Sequence, residues 1–182
     1  WGAAALGIRS VLIVSGDPVA CSRDRAARPV SDLDVPALVR LACQAGLRAG
    51  VVMDPRPSQL ERELRTLERK LEAGAGFVST QPLYEMEDLD RLARARERFG
   101  VPVLLGILPL VSGRHARFLN ERVPQMAVPA HLIEALDRAG EGAAQVGIDQ
   151  ARAMLAGARA RLAGAGIMPA FSRFESIAAI LE

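Results

Sequence analysis

The chain has 182 residues, of which 50% are hydrophobic and 24% charged, and its formal net charge is +2. This length is enough to bury a sizeable core within one domain. The near balance of charge, with one Trp, one Tyr and five Phe, excludes the basic and aromatic surface of a nucleic-acid-binding protein. No apolar run approaches the roughly 18 residues of a membrane span, and no secretory signal is present.

The cysteine and histidine content argues against a metal centre. Cys21 and Cys43 lack metal-binding spacing, and two histidines do not make a histidine-rich site. So few cysteines predict reduced thiols in a cytoplasmic protein. The chain begins at Trp1, within the helix-like sequence WGAAALGI, rather than at Met. This beginning predicts a fragment or the tail of a larger polypeptide.

Apolar strand-like runs alternate with longer helical patterns along the whole chain. The predicted strands are 11–15, 49–53, 76–80, 101–107 and 164–168. The predicted helices are 35–45, 59–73, 87–98, 114–121, 130–139, 147–162 and 173–181. This order predicts an α/β fold with a parallel sheet and right-handed crossovers. Because no linker divides the chain, we expect residues 1–182 to form a single domain.

The first strand, in the stretch SVLIVSGDP, carries the most informative sequence. Its four apolar β-formers, Val11 to Val14, predict a strand that is buried on both faces. Gly16 permits a tight turn, and Pro18 ends the strand. Asp17 is therefore left at the carboxyl end of the strand, where parallel α/β folds bind their ligands. Taken alone, this aspartate either caps the next helix or belongs to a binding site.

The helix 59–73 has the clearest periodicity. Leu60, Leu64, Leu67 and Leu71 recur at spacings of four, three and four residues, which makes one apolar stripe. We expect this stripe to face the sheet. Lys70 is the only lysine among 23 basic residues, and this favours a specific anionic partner.

Most of the predicted strands end in a polar or proline-containing turn: SGDP, MDPRP, STQP, GILP and MPAF. An open, doubly wound sheet of five strands fits 182 residues, whereas a complete (β/α)8 barrel needs about 250. The repeated polar tips nevertheless favour a barrel with its site at the strand ends. In that interpretation about three strands lie upstream of Trp1.

Four segments in order resemble the methylenetetrahydrofolate reductase family. They are SGDP, KLEAGAGFVSTQPLYE, VPVLLGILPLVSGRHARFLNERVPQMAVP and GIMPAFSRFE. The ending MPAFSRFESIAAIL is most similar to the reductase half of bacterial bifunctional proteins with an N-terminal homocysteine methyltransferase domain. The resemblance covers essentially the whole chain. It implies a (β/α)8 TIM barrel that holds FAD, of which this chain covers about strands 4 to 8.

The resemblance also implies roles for individual residues. Asp17 would lie beside the flavin ring, face the pterin of the folate and serve as the catalytic candidate. The implied FAD contacts are Ser15, Gly16, Asp17, Thr66, Arg69 and Lys70. The implied substrate contacts are Asp17, Gln81, His115 and Arg173. Leu119, Phe171 and Phe174 are predicted to pack rather than to stack on a ligand.

Some of these positions leave alternatives open. Gln81 has an amide that suits a pterin or nicotinamide edge, but a strand-end glutamine also satisfies nearby backbone. His115 stands where some relatives have glutamine, and it is either a substrate contact or a solvated loop residue. Asp54 stands where relatives often have asparagine. Thr66 and Lys70 lie late in their helix, at the end that an ideal barrel turns away from the catalytic face.

The activity implied is FAD-dependent reduction of 5,10-methylenetetrahydrofolate to 5-methyltetrahydrofolate by NADH or NADPH, in one-carbon and methionine metabolism. The family's catalytic glutamate belongs on the first barrel strand, upstream of Trp1, so the segment alone is expected to lack activity. The expected partner is a small-molecule folate, without nucleic acid or membrane. A homo-oligomer and a fused methyltransferase domain are the assembly alternatives.

Two other interpretations remain at this point. A non-catalytic partial barrel could serve as an assembly or regulatory module, because a five-stranded sheet exposes two edges for pairing. An unrelated flavin- or phosphate-binding α/β enzyme would match the strand tips by coincidence.

Overall fold

The computed structural model describes residues 1–16, 19, 22, 24–56, 58, 60–123, 125–172 and 174–182. The five strands are β1 (Ser10–Ile13), β2 (Arg48–Met53), β3 (Phe77–Pro82), β4 (Val103–Ile107) and β5 (Gly164–Ile167). The α-helices are α1 (Gly2–Ala5), α2 (Val35–Gln44), α3 (Leu60–Glu72), α4 (Met86–Phe99), α5 (Gly113–Arg122), α6 (Ala130–Ala139), α7 (Ala143–Arg159) and α8 (Glu175–Leu181). Within this described part of the chain, no helix is both long and apolar enough to cross a bilayer.

The five strands form one sheet in the order β1-β2-β3-β4-β5, and every neighbouring pair is parallel. The predicted α/β fold with a parallel sheet is therefore confirmed. A doubly wound sheet reverses its strand order at a switch point, whereas a βα barrel adds each strand beside the previous one. The observed order is consistent with part of a TIM barrel.

The helices cover one face of the sheet. Val51, Val78 and Val103 pair across three strands, and all three are buried at 0 to 1% exposure in the main core. Side chains from α2, α3, α4, α7 and α8 pack into the same core. On the opposite face Leu12 is 49% exposed. One covered face and one open face are what a segment of barrel wall presents.

The apolar stripe of α3 faces the sheet, as predicted. Leu67 is 1% exposed, and Leu60, Leu64 and Leu71 pack against the main core while half-buried. Glu61 and Glu63 lie in the first turn of α3, and Arg69 and Lys70 lie in its last turn, so the charges complement the helix dipole.

Strand β1 differs from its prediction. It covers Ser10–Ile13 rather than 11–15, and it is not buried on both faces, because Leu12 and Val14 are 49% and 55% exposed. The physical reason is that β1 is an edge strand of the described sheet and pairs only with β2, from Ser10 to Ile13.

A second, smaller core lies beyond β4. It joins Tyr84, which follows β3, to apolar residues of α5, α6 and the loop between these helices. Asn120 fixes that loop, because its side-chain amide donates to the Val128 carbonyl at 2.9 Å and its oxygen accepts from the Val128 N–H at 2.7 Å. The loop is thereby held beside the carboxyl end of β3.

Candidate functional site

A cavity of about 470 Å³ lies at the carboxyl ends of β1, β2 and β3 and along one side of α3. We call it the tip pocket. It is lined by Ile13, Val14, Ser15, Gly16, Asp34, Val35, Pro36, Val52, Asp54, Glu63, Thr66, Arg69, Lys70, Gln81 and Gln125. Small-molecule sites typically measure about 300 to 1,000 Å³ and occur at this edge of parallel sheets. Position and size together mark the tip pocket as the candidate ligand site.

The turn after β1 brings Ser15 and Gly16 to the pocket wall. Gly16 has φ of +74°, a conformation that strains any residue with a side chain, and no atom of the described residues, its chain neighbours apart, lies within 4 Å of the position its Cβ would occupy. The backbone is therefore open to close approach by a ligand. Asp17, the central residue of the sequence prediction, lies outside the described residues, as does Arg173.

The residues predicted on α3 line the same cavity as the β1 turn. Thr66, Arg69 and Lys70 all contribute to its wall, although they lie late in the helix. The Lys70 Nζ donates a hydrogen bond of 2.7 Å to the Val52 carbonyl on β2. The length of the lysine side chain therefore spans from the helix to the strand. The last turns of α3 therefore lie beside the strand ends, although an ideal barrel would turn them away from the catalytic face.

Burial makes the charged form of Lys70 less favourable than it is in water. Burial lowers its pKa from the ordinary lysine value, and the nearby Glu63 carboxylate acts in the opposite direction. Glu63 lies seven residues before Lys70 on α3 and also lines the tip pocket. An anion in the pocket would favour the charged form of Lys70 and so would gain from this contact.

Asp54, at the end of β2, lines the pocket with a residue exposure of only 7%. Its carboxylate is held by Arg56, whose Nε donates to Oδ1 and to Oδ2 at 2.8 Å each and whose Nη2 also contacts Oδ2. This contact is the main cause that raises the Arg56 pKa. The aspartate that stands where relatives often have asparagine is therefore paired inside the protein.

Gln81 lies near the end of β3 and faces the pocket from the other side. Its Nε2 donates to the Oε1 of Gln125 at 3.4 Å, a long bond between two side chains. Gln125 follows α5 and has φ of +64°. This contact does not support the alternative that Gln81 only hydrogen-bonds nearby backbone, because its partner is another side chain at the pocket.

His115 does not line the tip pocket. It lies in the first part of α5, is 9% exposed, and its ring centroid is 4.9 Å from that of Phe171. Leu119 is buried as predicted, whereas the packing prediction for Phe174 is wrong, because it is 65% exposed. Phe171 is 69% exposed but makes one ring contact, with His115. Phe171 also has a positive φ of +52°, within the short 3₁₀ segment Ala170–Ser172 that follows β5.

Sequence reasoning missed three polar residues of the pocket: Asp34, Glu63 and Gln125. Glu63 precedes Thr66 and Lys70 by three and seven residues, so helical spacing alone could have placed it on their face. Asp34 is the N-cap of α2, where its Oδ1 accepts from the Ala37 N–H at 2.8 Å. No local sequence pattern indicated that Gln125 lines the pocket, because a tertiary contact brings it to β3.

The fold and the pocket define a parallel α/β protein with a candidate ligand site at its strand ends. Comparison with known proteins identifies the family to which the chain belongs within this class. The sequence profile of the family described as methylenetetrahydrofolate reductase matches residues 2–167. The chain therefore belongs to the methylenetetrahydrofolate reductase family.

A curated relative agrees with the family match. The chain is 26% identical, over 145 residues, to a protein of Caenorhabditis elegans named probable methylenetetrahydrofolate reductase (NADPH). The aligned region is 74% of this chain and 21% of the relative. The chain thus spans about a fifth of the length of the curated relative it matches.

Proposed function

We propose that this chain forms the flavin- and folate-binding part of an enzyme that reduces 5,10-methylenetetrahydrofolate to 5-methyltetrahydrofolate. The observation that carries the proposal is the tip pocket, which joins Gly16, Gln81 and Lys70 in one cavity at the strand ends. Family membership supports the same reaction. A binding wall with amide, hydroxyl and ammonium groups suits a ligand that carries both a hydrogen-bonding ring and a charged tail.

The residues of the pocket fit the FAD that this family implies. Lys70 and Arg69 supply cations for a diphosphate, Thr66 supplies a hydroxyl for a phosphate or ribose, and Gly16 leaves open space beside the strand end. Bound FAD would supply two-electron chemistry between a reduced nicotinamide and the methylene group. Lys70 would hold the diphosphate while its bond to the Val52 carbonyl keeps the ammonium in place.

Gln81 and Asp17 would bind the substrate side. An amide offers both a donor and an acceptor, so Gln81 would orient the pterin or the nicotinamide carboxamide. Asp17 follows Gly16 directly in the sequence, and its carboxylate would accept hydrogen bonds from the amino-pyrimidine edge of the pterin. We assign His115 and Arg173 to the substrate side, as the family resemblance implies; of these two, His115 is described and lies outside the tip pocket.

The five strands would be consecutive strands of a (β/α)8 barrel, about the fourth to the eighth. This proposal is supported by the consecutive parallel order and by the unpaired edges of β1 and β5 in the described sheet. The remaining strands would carry the general acid of the family. General acids contribute roughly 10²- to 10⁴-fold to rates, so these 182 residues alone should be nearly inactive.

The relative's name specifies NADPH, and we propose a reduced nicotinamide, NADPH or NADH, as the electron donor. The ending MPAFSRFESIAAIL favours attachment to a homocysteine methyltransferase domain. We further propose a cytoplasmic role in methionine biosynthesis. The non-catalytic assembly module is the second candidate, and the open sheet edges favour it only if the pocket binds no flavin.

The test is flavin binding and half-reactions in the full-length protein. We expect bound flavin absorbance, and oxidation of the reduced flavin on addition of methylenetetrahydrofolate. Asp17→Asn should slow this oxidation at least tenfold while it slows reduction by the nicotinamide much less, because only the folate half-reaction uses the pterin contact. Asp149→Asn, on the exposed side of α7, is the control and should change neither rate. A protein that cannot be loaded with FAD would refute the proposal.

A further inference from the structure

We propose that Arg56 is a positioning residue of the tip pocket. By pairing with Asp54 it cancels a buried negative charge in the pocket wall, and this lets the Lys70 side of the pocket accept the diphosphate of a dinucleotide. The inference rests on the proposed function, because it concerns how the same pocket receives its anionic ligand.

The charges of the residues that line the pocket show why a further cation is needed. Its described lining contains three carboxylates, on Asp34, Asp54 and Glu63, but only two cations, on Arg69 and Lys70. Arg69 is shared with Asp34, whose Oδ2 lies 3.8 Å from Arg69 Nη2. Without a further cation, the described lining would carry an excess of negative charge and would repel a diphosphate.

Arg56 supplies that further positive charge. It does not line the cavity, yet its Nε lies 2.8 Å from both carboxylate oxygens of Asp54, and its backbone N–H donates to Oδ1 at 3.1 Å. The Asp54 side chain is 10% exposed, so water screens its charge less than it would at the surface. Electrostatic interactions in such a place are stronger than at the surface.

The same pair is connected to Lys70 through Glu63. The backbone N–H of Asp54 donates to Glu63 Oε2 at 3.4 Å, and Glu63 is the carboxylate that acts on the Lys70 ammonium. Arg56 fixes Asp54 through both its side chain and its backbone, so it also fixes the donor that holds Glu63. Loss of Arg56 should therefore both add a negative charge and loosen the partner of Lys70.

An ion pair of similar burial that does not line the pocket provides the control, although its Asp88 carboxylate is within electrostatic reach of Arg56 and Asp54. Arg91 pairs with Asp88 on α4, and the side-chain exposures of 23% and 8% are close to the 23% and 10% of Arg56 and Asp54. Neither Arg91 nor Asp88 lines the tip pocket. Arg91→Gln therefore disturbs a comparable buried pair without placing an unpaired charge on the pocket wall.

The experiment measures the Kd of FAD, and of ADP as a second diphosphate probe, for the full-length protein at low and high salt. We expect Arg56→Gln to weaken both about tenfold at low salt, and the loss to shrink as salt screens the pocket. The double variant Arg56→Gln/Asp54→Asn should return to within about twofold of the wild-type Kd, because it removes the unpaired charge. Arg91→Gln should stay within about twofold.

The outcomes separate the two proposals. A wild-type protein that binds neither FAD nor ADP overturns the proposed function and this inference with it. If the wild type binds FAD but Arg56→Gln binds it equally well, or if Arg91→Gln weakens binding as much as Arg56→Gln, only the role of Arg56 is overturned. Failure of the double variant to restore binding also overturns it, because a purely structural role predicts no rescue by Asp54→Asn.

Discussion

His115 is a buried histidine, and among the described residues no hydrogen bond offsets the burial of its ring nitrogen Nδ1. The whole residue is 9% exposed. Burial lowers its pKa from the ordinary value of 6.5, because the charged imidazolium loses its hydration. The folded protein therefore holds His115 in the neutral form.

This burial predicts a loss of stability in mild acid. As the pH falls below about 6.5, the unfolded state takes up a proton that the folded state accepts only at lower pH, so protonation favours unfolding. Each unit by which folding lowers the pKa is equivalent to about 1.4 kcal/mol. His115→Leu should remove this part of the pH dependence, measured as the free energy of unfolding in urea at pH 7.5 and pH 5.

Leu119→Met, on the same helix, is the control, since it changes a buried residue without removing a titratable group. We expect its pH dependence to equal that of the wild type. If His115→Leu loses as much stability between pH 7.5 and pH 5 as the wild-type protein does, His115 is not the group responsible.

At the scale of elements, Gly106 on β4 lies close against the backbone of β3. A Cβ on Gly106 would lie 2.5 Å from the Thr80 carbonyl oxygen and 2.9 Å from the Gln81 carbonyl, so backbone rather than a flexible side chain blocks it. The Gly106 N–H also donates to the Thr80 hydroxyl at 2.9 Å. This contact holds the part of β3 that presents Gln81.

Gly106→Ala should therefore destabilise the protein by about 1 to 3 kcal/mol, as overpacking does, and should weaken ligand binding by displacing Gln81. The denaturant midpoint measures the first effect, and the Kd for FAD measures the second. Gly166→Ala is the control, because Gly166 pairs with Gly106 across β4 and β5 and, among the described residues, has no atom within 4 Å of its Cβ position. Equal midpoints for the two variants would contradict the steric argument.

The order and type of the elements were predictable from the sequence, but several ends were not. Pro82 was expected to lie beyond β3, yet the strand includes it, because its pairing with Gly106 requires no N–H from the proline. Helix α7 was expected to begin at Gly147 but begins at Ala143. Gly147 is instead a packing glycine, since a Cβ there would lie 1.8 Å from the Leu110 carbonyl oxygen.

The site was predictable where one element carried its residues. Resemblance and helical position identified Thr66 and Lys70 on α3, and the structure places both at the tip pocket. The pairing of Arg56 with Asp54 was not predictable, because two charges separated by one proline do not reveal which partner a side chain selects. Gln125 depends on the packing of the α5–α6 loop, which no local pattern encodes.

At the scale of the whole molecule, the uncovered side of β1 is apolar. A groove of about 460 Å³ there is lined by ten residues: Trp1, Val11, Leu12, Ile13, Val14, Leu38, Leu41, Ala42, Ala45 and Leu47. Exposed apolar surface beside an unpaired strand edge promotes association between chains. The 182-residue chain, taken alone, should therefore self-associate in solution.

Leu12→Lys should reduce this association at least several-fold, because it places a charge on the open face beside the edge. Sedimentation velocity over a range of concentrations measures it. Leu6→Lys is the control, since Leu6 is 84% exposed and lies outside the groove. A chain that stays monomeric at high concentration, with or without Leu12→Lys, would show that the open side of β1 does not drive self-association.

The consecutive strand order has a consequence for how the chain folds. Each of the first three pairings joins strands that are separated by a connection with a single described α-helix, whereas β4 and β5 are separated by α5, α6 and α7. Closing a longer loop costs more entropy, so the pairing of β5 should be the slowest. During synthesis, the sheet can therefore grow in the order in which it leaves the ribosome, and the tip pocket, which draws on β1, β2, β3 and the loop after α5, can form before β5 docks.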